Sequence, residues 1–159
     1  MFMQSRRTVL GVLTTLPAAI SAAPLRAATA YEITMLSRDR DDPSLGMRFS
    51  PDFLKVPAGS TVTFTAGASG HNAQTTRGMI PEGADGWRFG IGRSGTVTLS
   101  VPGFYGYHCL PHRGLGMVGL IIVEGPGMMA NYEAAKSVRQ FGKAAERWND
   151  LWARADALL

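Results

Sequence analysis

From residue 31 onward the apolar positions fall in short runs, several of them alternating with polar residues, and glycine or proline closes most of the runs. Thr61-Val62-Thr63-Phe64-Thr65 alternates strictly and is β-branched, a pattern that predicts a strand with one face buried. Thr96-Val97-Thr98-Leu99-Ser100-Val101 repeats it before Pro102-Gly103 turns the chain. Tyr31 to Leu36, Phe53 to Val56, Phe104 to Cys109 and Met117 to Val123 complete a predicted set, with Pro57-Ala58-Gly59-Ser60 as the turn after the second. Short strands separated by turn residues predict an all-β sandwich. Near Asn131 the period changes. Asn131 is expected to cap a helix that begins in Glu133-Ala134-Ala135-Lys136. Phe141, Ala144, Ala145, Trp148, Leu151, Trp152, Ala155 and Leu158 then recur at helical spacing. That apolar face is expected to cover the sandwich; the alternative is a helix that binds a partner.

The first thirty residues follow a different logic. Arg6-Arg7 precedes an apolar stretch from Val9 to Ile20 that Pro17 interrupts, and Ala28-Thr29-Ala30 supplies a small-x-small cleavage signal. Residues 1–30 are therefore expected to be an export signal, residues 31–127 the sandwich, and residues 128–159 its helical extension. Ser5-Arg6-Arg7-Thr8-Val9-Leu10 resembles a twin-arginine signal, although Val9 and Gly11 depart from its strongest form and leave the general secretory route open. An uncleaved anchor is the competing reading, opposed by the short apolar run. The expected location is the periplasm.

Removing that segment changes the charge. The chain carries 16 basic and 12 acidic residues, but Arg6, Arg7 and Arg26 lie in the signal with no acid beside them, which leaves thirteen against twelve. A mature net charge near +1 removes the main support for nucleic-acid binding. The length of 159 residues fits one domain, monomeric by default. A single cysteine excludes an internal disulfide and any centre that needs two thiolates from one chain.

With only three histidines, the chemistry concentrates in Tyr107-His108-Cys109-Leu110-Pro111-His112-Arg113-Gly114-Leu115-Gly116-Met117. A thiolate, an imidazole three residues on and a thioether eight residues on are soft or borderline donors, and with a second imidazole they suit an electron-transfer copper site. His71, in Gly70-His71-Asn72, is the candidate for that second imidazole. A trigonal His–His–Cys set with a long Met bond lies between the preferences of Cu(II) and Cu(I), so little has to move on electron transfer. Gly114 and Gly116 would let the loop bend back, and Pro111 would stiffen its approach. Taken singly, Cys109 could be a core thiol, His112 a surface residue and Met117 the start of a strand. On an alternating strand His108 should face away from Cys109, a non-ligand expected to meet solvent.

Gly70-His71-Asn72, Met79-Ile80-Pro81-Glu82-Gly83-Ala84 and Cys109-x-Pro111-His112 with Met117 resemble the pseudoazurins, type 1 blue copper proteins of the cupredoxin family. The resemblance implies a Greek-key sandwich of about eight strands with two C-terminal helices, and one copper ion held by His71, Cys109, His112 and Met117. It implies that the Asn72 N–H donates to the Cys109 sulfur and that Met47 packs near His112. It implies electron exit at His112 within an apolar collar (here Pro111 and Leu115) ringed by Arg38, Arg77, Arg88 and Arg113, where the family more often has lysine. The implied role is a non-enzymatic carrier of single electrons. Its implied partners are transient ones: nitrite reductase, nitrous oxide reductase or c-type cytochromes. Copper storage or delivery is the alternative, and a domain of a copper oxidase or nitrite reductase would need further histidines.

Overall fold

A computed structural model describes residues 29–38, 42 and 46–159. The predicted export signal therefore lies almost wholly outside the described residues. Eight strands build two four-stranded sheets. One sheet has the order β2-β1-β4-β6 and contains β1 (Ala30–Arg38), β2 (Gly46–Ser50), β4 (Ser60–Ala66) and β6 (Gly95–Leu99). The other has the order β3-β8-β7-β5 and contains β3 (Phe53–Pro57), β5 (Gln74–Thr75), β7 (Gly103–His108) and β8 (Val118–Glu124). Strands β1 and β4, and β3 and β8, run parallel; the other pairs are antiparallel. Helices α1 (Tyr132–Lys136) and α2 (Gly142–Asp156) follow the last strand. The fold is the mostly-β cupredoxin sandwich with two C-terminal helices.

The alternation in β4 sends Val62 and Phe64 into the interior while its threonines stay half-buried. Between the sheets they meet Ile33 and Met35 of β1, Phe49 of β2, and Tyr105 and Tyr107 of β7. Phe49, Phe64 and Tyr107 pack edge to face, with centroids 4.8 to 6.2 Å apart. Alternation fails to mark β7 and β8 because both of their faces are covered: all six residues of β7 are buried, and six of the seven in β8. Their outer face carries Phe104, Val118, Leu120 and Ile122, and the helices bury it with Ala144, Trp148, Leu151, Trp152 and Ala155. The expected covering role of the C-terminal apolar stripe is thus what the helices perform, except that Phe141 and Leu158 remain exposed.

Polar contacts fix the register of α2 on the sheet. Asp52, nearly fully buried at the β2–β3 corner, takes Arg147 and Arg154 from one face of α2, two turns apart. Removing that carboxylate would take away the contact that ties both guanidinium groups to the sheet and leave them only Asp150 of their own helix. Asn131 stands at the first position before α1, but its side chain makes no cap. Its Oδ1 accepts from the Phe104 N–H at 3.0 Å and its Nδ2 donates to the Phe104 carbonyl at 2.8 Å, tying the helical segment to the start of β7.

Strands β2 and β5 escaped the sequence pattern. In β2 only Phe49 is fully buried, and Met47 has a positive φ of 47°, so no alternation marks it. Strand β5 is two residues long and owes its existence to pairing with Tyr107 and His108.

Candidate metal centre

Three segments converge at one end of the sandwich. His71 lies in the loop between β4 and β5, Cys109 follows the last residue of β7, and His112 opens a 3-10 turn at Arg113–Leu115. Cys109 Sγ lies 3.8 Å from His71 Nδ1 and 3.5 Å from His112 Nδ1, and the two Nδ1 atoms are 3.0 Å apart. All three donor atoms lie within 4.8 Å of one another, and this is the one such group found among the described residues. A trigonal centre with bonds of about 2.0 Å to nitrogen and about 2.3 Å to sulfur needs donors roughly 3.5 Å apart, so the set fits a single transition-metal ion. His71 and Cys109 are fully buried, whereas His112 is half-buried and forms the solvent-side member.

The loop closes on itself through the backbone. The Cys109 N–H donates to the Met117 carbonyl at 3.0 Å, and the Met117 N–H donates to the His112 carbonyl at 3.2 Å. Met117 is buried in the same cluster as Cys109. Gly116 ends the 3-10 turn in the left-handed region at φ 88°, where a side chain would be strained. Gly114 does not use that freedom: its φ is not positive, so the bend rests on Gly116 alone. Pro111 and Leu115 are exposed on the loop, beside an equally exposed Leu110 that the sequence reading passed over.

Electrostatics favour neutral donors before a metal binds. Burial lowers the His71 pKa, and the nearby His112 lowers it further. Burial pushes the Cys109 thiol up, while backbone N–H groups of Asn72 and His112 pull it back. A metal would displace the thiol proton, so uptake would release it to solvent. The Asn72 N–H donates to Cys109 Sγ at 3.5 Å, and Leu110 N–H donates to Asn72 Oδ1 at 2.7 Å. His71 turns Nε2 to Ser37 Oγ at 2.9 Å. That contact leaves Nδ1 free to face the sulfur, and it holds the tautomer by the usual outer-shell device. Nothing in the sequence signals Ser37, because the contact exists only once β1 lies against the His71 loop.

His108 requires a correction. Its side chain points away from Cys109, as alternation predicts, but it is buried rather than solvent-facing. The outer face of this sheet is covered beside it by the 76–80 segment, and Thr76 Oγ1 lies 2.9 Å from its Nδ1. Burial, and then the charge of Arg113, push its pKa from 6.5 down to about 4. Between those values the unfolded chain holds the proton and the folded chain does not, so stability falls as pH drops from 6.5 towards 4. The total loss is on the order of 3 kcal/mol. An NMR titration should find the His108 ring uncharged down to about pH 5; a midpoint near 6.5 would contradict its burial.

The arginines divide. Arg38, Arg77 and Arg88 are exposed, whereas Arg113 is half-buried and donates through Nη2 to Gln140 Oε1 at 2.9 Å. Met47 is half-buried and lines a groove of about 270 Å³ with Leu115, Gly116 and Lys143, so it reaches the 3-10 turn of the loop.

Comparison with known proteins agrees with this geometry. Residues 37–124 match the model of the copper binding proteins of the plastocyanin/azurin family. A pseudoazurin of Paracoccus pantotrophus is 38% identical over 127 residues, covering 79% of this chain and 83% of that protein. Solved structures of pseudoazurins superpose well. One from Sinorhizobium has a TM-score of 0.73 at 39% identity, covering 80% of this chain and 96% of its own. One from Methylobacterium extorquens AM1 has a TM-score of 0.73 at 33% identity, covering 79% and 98%. Fold, donor cluster and relatives lead to one conclusion: the chain belongs to the pseudoazurins, cupredoxins of the copper-binding plastocyanin/azurin family.

Proposed function

We propose that this chain is a diffusible one-electron carrier of the periplasm that delivers electrons to denitrification enzymes such as nitrite or nitrous oxide reductase, with c-type cytochromes as further partners. The observation that carries the reading is the convergence of one thiol and two imidazoles, two of the three fully buried, beneath an exposed apolar cap. His71, Cys109 and His112 would hold the copper ion, with Met117 as the fourth and weaker donor. When bound, the ion supplies a one-electron couple between its cuprous and cupric states.

The chain's own residues do the rest. His71 is anchored by Ser37, and Cys109 by the Asn72 N–H, so the donors are held in place before and after each transfer. His112, the half-buried donor, offers the shortest way out. Around it Leu110, Pro111 and Leu115 are exposed and would exclude water from a partner's surface. Arg38, Arg77 and Arg88 are exposed outside that cap and would steer an acidic partner, an effect on association rate that salt weakens. Arg113 contributes less freely, since Gln140 holds it. A small interface of this kind releases quickly, as a carrier requires. Residues 1–30 would direct export and be removed, and residues 31–127 and 128–159 would form one unit. No helix among the described residues is long and apolar enough to cross a membrane.

Stopped-flow oxidation of the reduced protein by a copper nitrite reductase tests this role. Oxidation should be second order, slow several-fold between low and physiological salt, and slow again in Arg88→Glu. A reductase that leaves the protein reduced, or a rate indifferent to both salt and Arg88, would contradict the role.

A further inference from the structure

His108 and Gln74 have no part in the donor set, yet they complete a ring of contacts around Cys109. Gln74 Nε2 can only donate, and it lies 3.1 Å from His108 Nε2, so that nitrogen accepts. The His108 proton is then on Nδ1 and is donated to Thr76 Oγ1 at 2.9 Å. The other end of the Gln74 amide, Oε1, accepts from Asn72 Nδ2 at 3.2 Å. Asn72 uses its remaining groups on three partners. Nδ2 also donates to the Phe89 carbonyl at 3.2 Å, Oδ1 accepts from Leu110 N–H at 2.7 Å, and the backbone N–H donates to Cys109 Sγ at 3.5 Å. The circuit runs from the sulfur through Asn72 and Gln74 to His108, and the peptide bond returns it to Cys109.

We infer that His108 and Gln74 are positioning residues that hold Asn72, and through it the N–H to sulfur hydrogen bond that sets the electron density of the Cys109 thiolate. This rests on the reading of Cys109 as the copper thiolate. The physical argument is one of constraint. The N–H to sulfur bond is long, and its strength falls steeply with small displacements. Asn72 sits in a loop before a two-residue edge strand, which alone restrains it little. Gln74 fixes the Asn72 side-chain amide from one side and Leu110 fixes it from the other, and both His108 and Leu110 are covalent neighbours of Cys109. The sulfur and its donor are therefore held by the same frame. Loosening it should weaken the bond, raise electron density on the sulfur, favour the oxidised state and lower the reduction potential.

The test compares Gln74→Leu, which keeps volume but removes both amide functions, with Gln74→Glu, which keeps the acceptor for Asn72. His108→Leu removes the other side of the contact, and half-buried Gln74 gives a variant that disturbs the core less. In the reduced protein, hydrogen exchange at the Asn72 and Leu110 amides should quicken in Gln74→Leu and His108→Leu and return towards wild type in Gln74→Glu. The potential should fall in the first two, with a shift in the thiolate absorption band; Gln74→Glu is read by exchange alone, because its carboxylate cannot donate to His108 and its charge lowers the potential by itself. Unchanged exchange and potential in Gln74→Leu would overturn the inference, as would faster exchange with an unmoved potential. A wild type without the thiolate band would instead fault the copper reading, while the exchange measurement would still decide whether the frame holds Asn72.

Discussion

Replacing Cys109 by serine is expected to abolish the intense visible absorption of the copper-loaded protein. That band requires a thiolate, and a serine hydroxyl stays protonated at neutral pH and is a harder, weaker donor. Two imidazoles would still face the site, so some Cu(II) would bind without colour, with affinity lowered by more than the roughly 10–100-fold that follows loss of an outer-shell contact. The fold should survive. Serine is close to cysteine in size, and the Asn72 N–H that now reaches Sγ can donate to Oγ, so unfolding free energy should change by no more than about 1–2 kcal/mol. Absorption spectra and denaturant titrations of Cys109→Ser separate these effects. A retained band would remove the thiolate from the account.

The largest loss of stability is expected from Trp148→Ala. Trp148 is 2% exposed, stacks on Trp152 with centroids 6.0 Å apart, and fills the layer between α2 and the outer face of β7 and β8. Truncating a buried tryptophan costs about 3–5 kcal/mol. Its indole N–H has no hydrogen-bond partner among the described residues, so the loss is one of packing rather than hydrogen bonding. The effect should spread to the metal centre. A Cβ built on Gly116 would lie 3.3 Å from the Lys143 carbonyl, so the first turn of α2 rests directly against the donor loop. The clamp of Arg147 and Arg154 on Asp52 should keep α2 attached, giving a destabilised protein that releases copper faster rather than an unfolded one. A midpoint shift corresponding to less than about 1 kcal/mol would show that α2 is not part of the cooperative unit.

Six strands and the helical tail were legible in the sequence because one-sided burial leaves an alternation, as in Val62 and Phe64, or a helical stripe, as in Trp148, Leu151 and Trp152. Strand β5 was not, because two residues carry no period and only pairing with β7 defines them. Asn131 was legible as a helix boundary but not in its role, since a carboxamide that suits a cap suits the Phe104 backbone equally well. The donors were visible through chemistry and spacing. Their supports were visible only in part: Asn72 through family resemblance, Ser37 and Gln74 not at all, because those contacts join segments about 34 residues apart. His108 shows the limit of alternation, which gives the direction of a side chain but not what lies on that side.

The most direct measurement is a titration of Cu(II) into the purified protein, followed by visible absorption. An intense thiolate-to-copper band should grow linearly and saturate at one ion per chain. A protein that remains colourless, or a band that requires two chains per ion, would contradict the convergence of His71, Cys109 and His112 on a single copper.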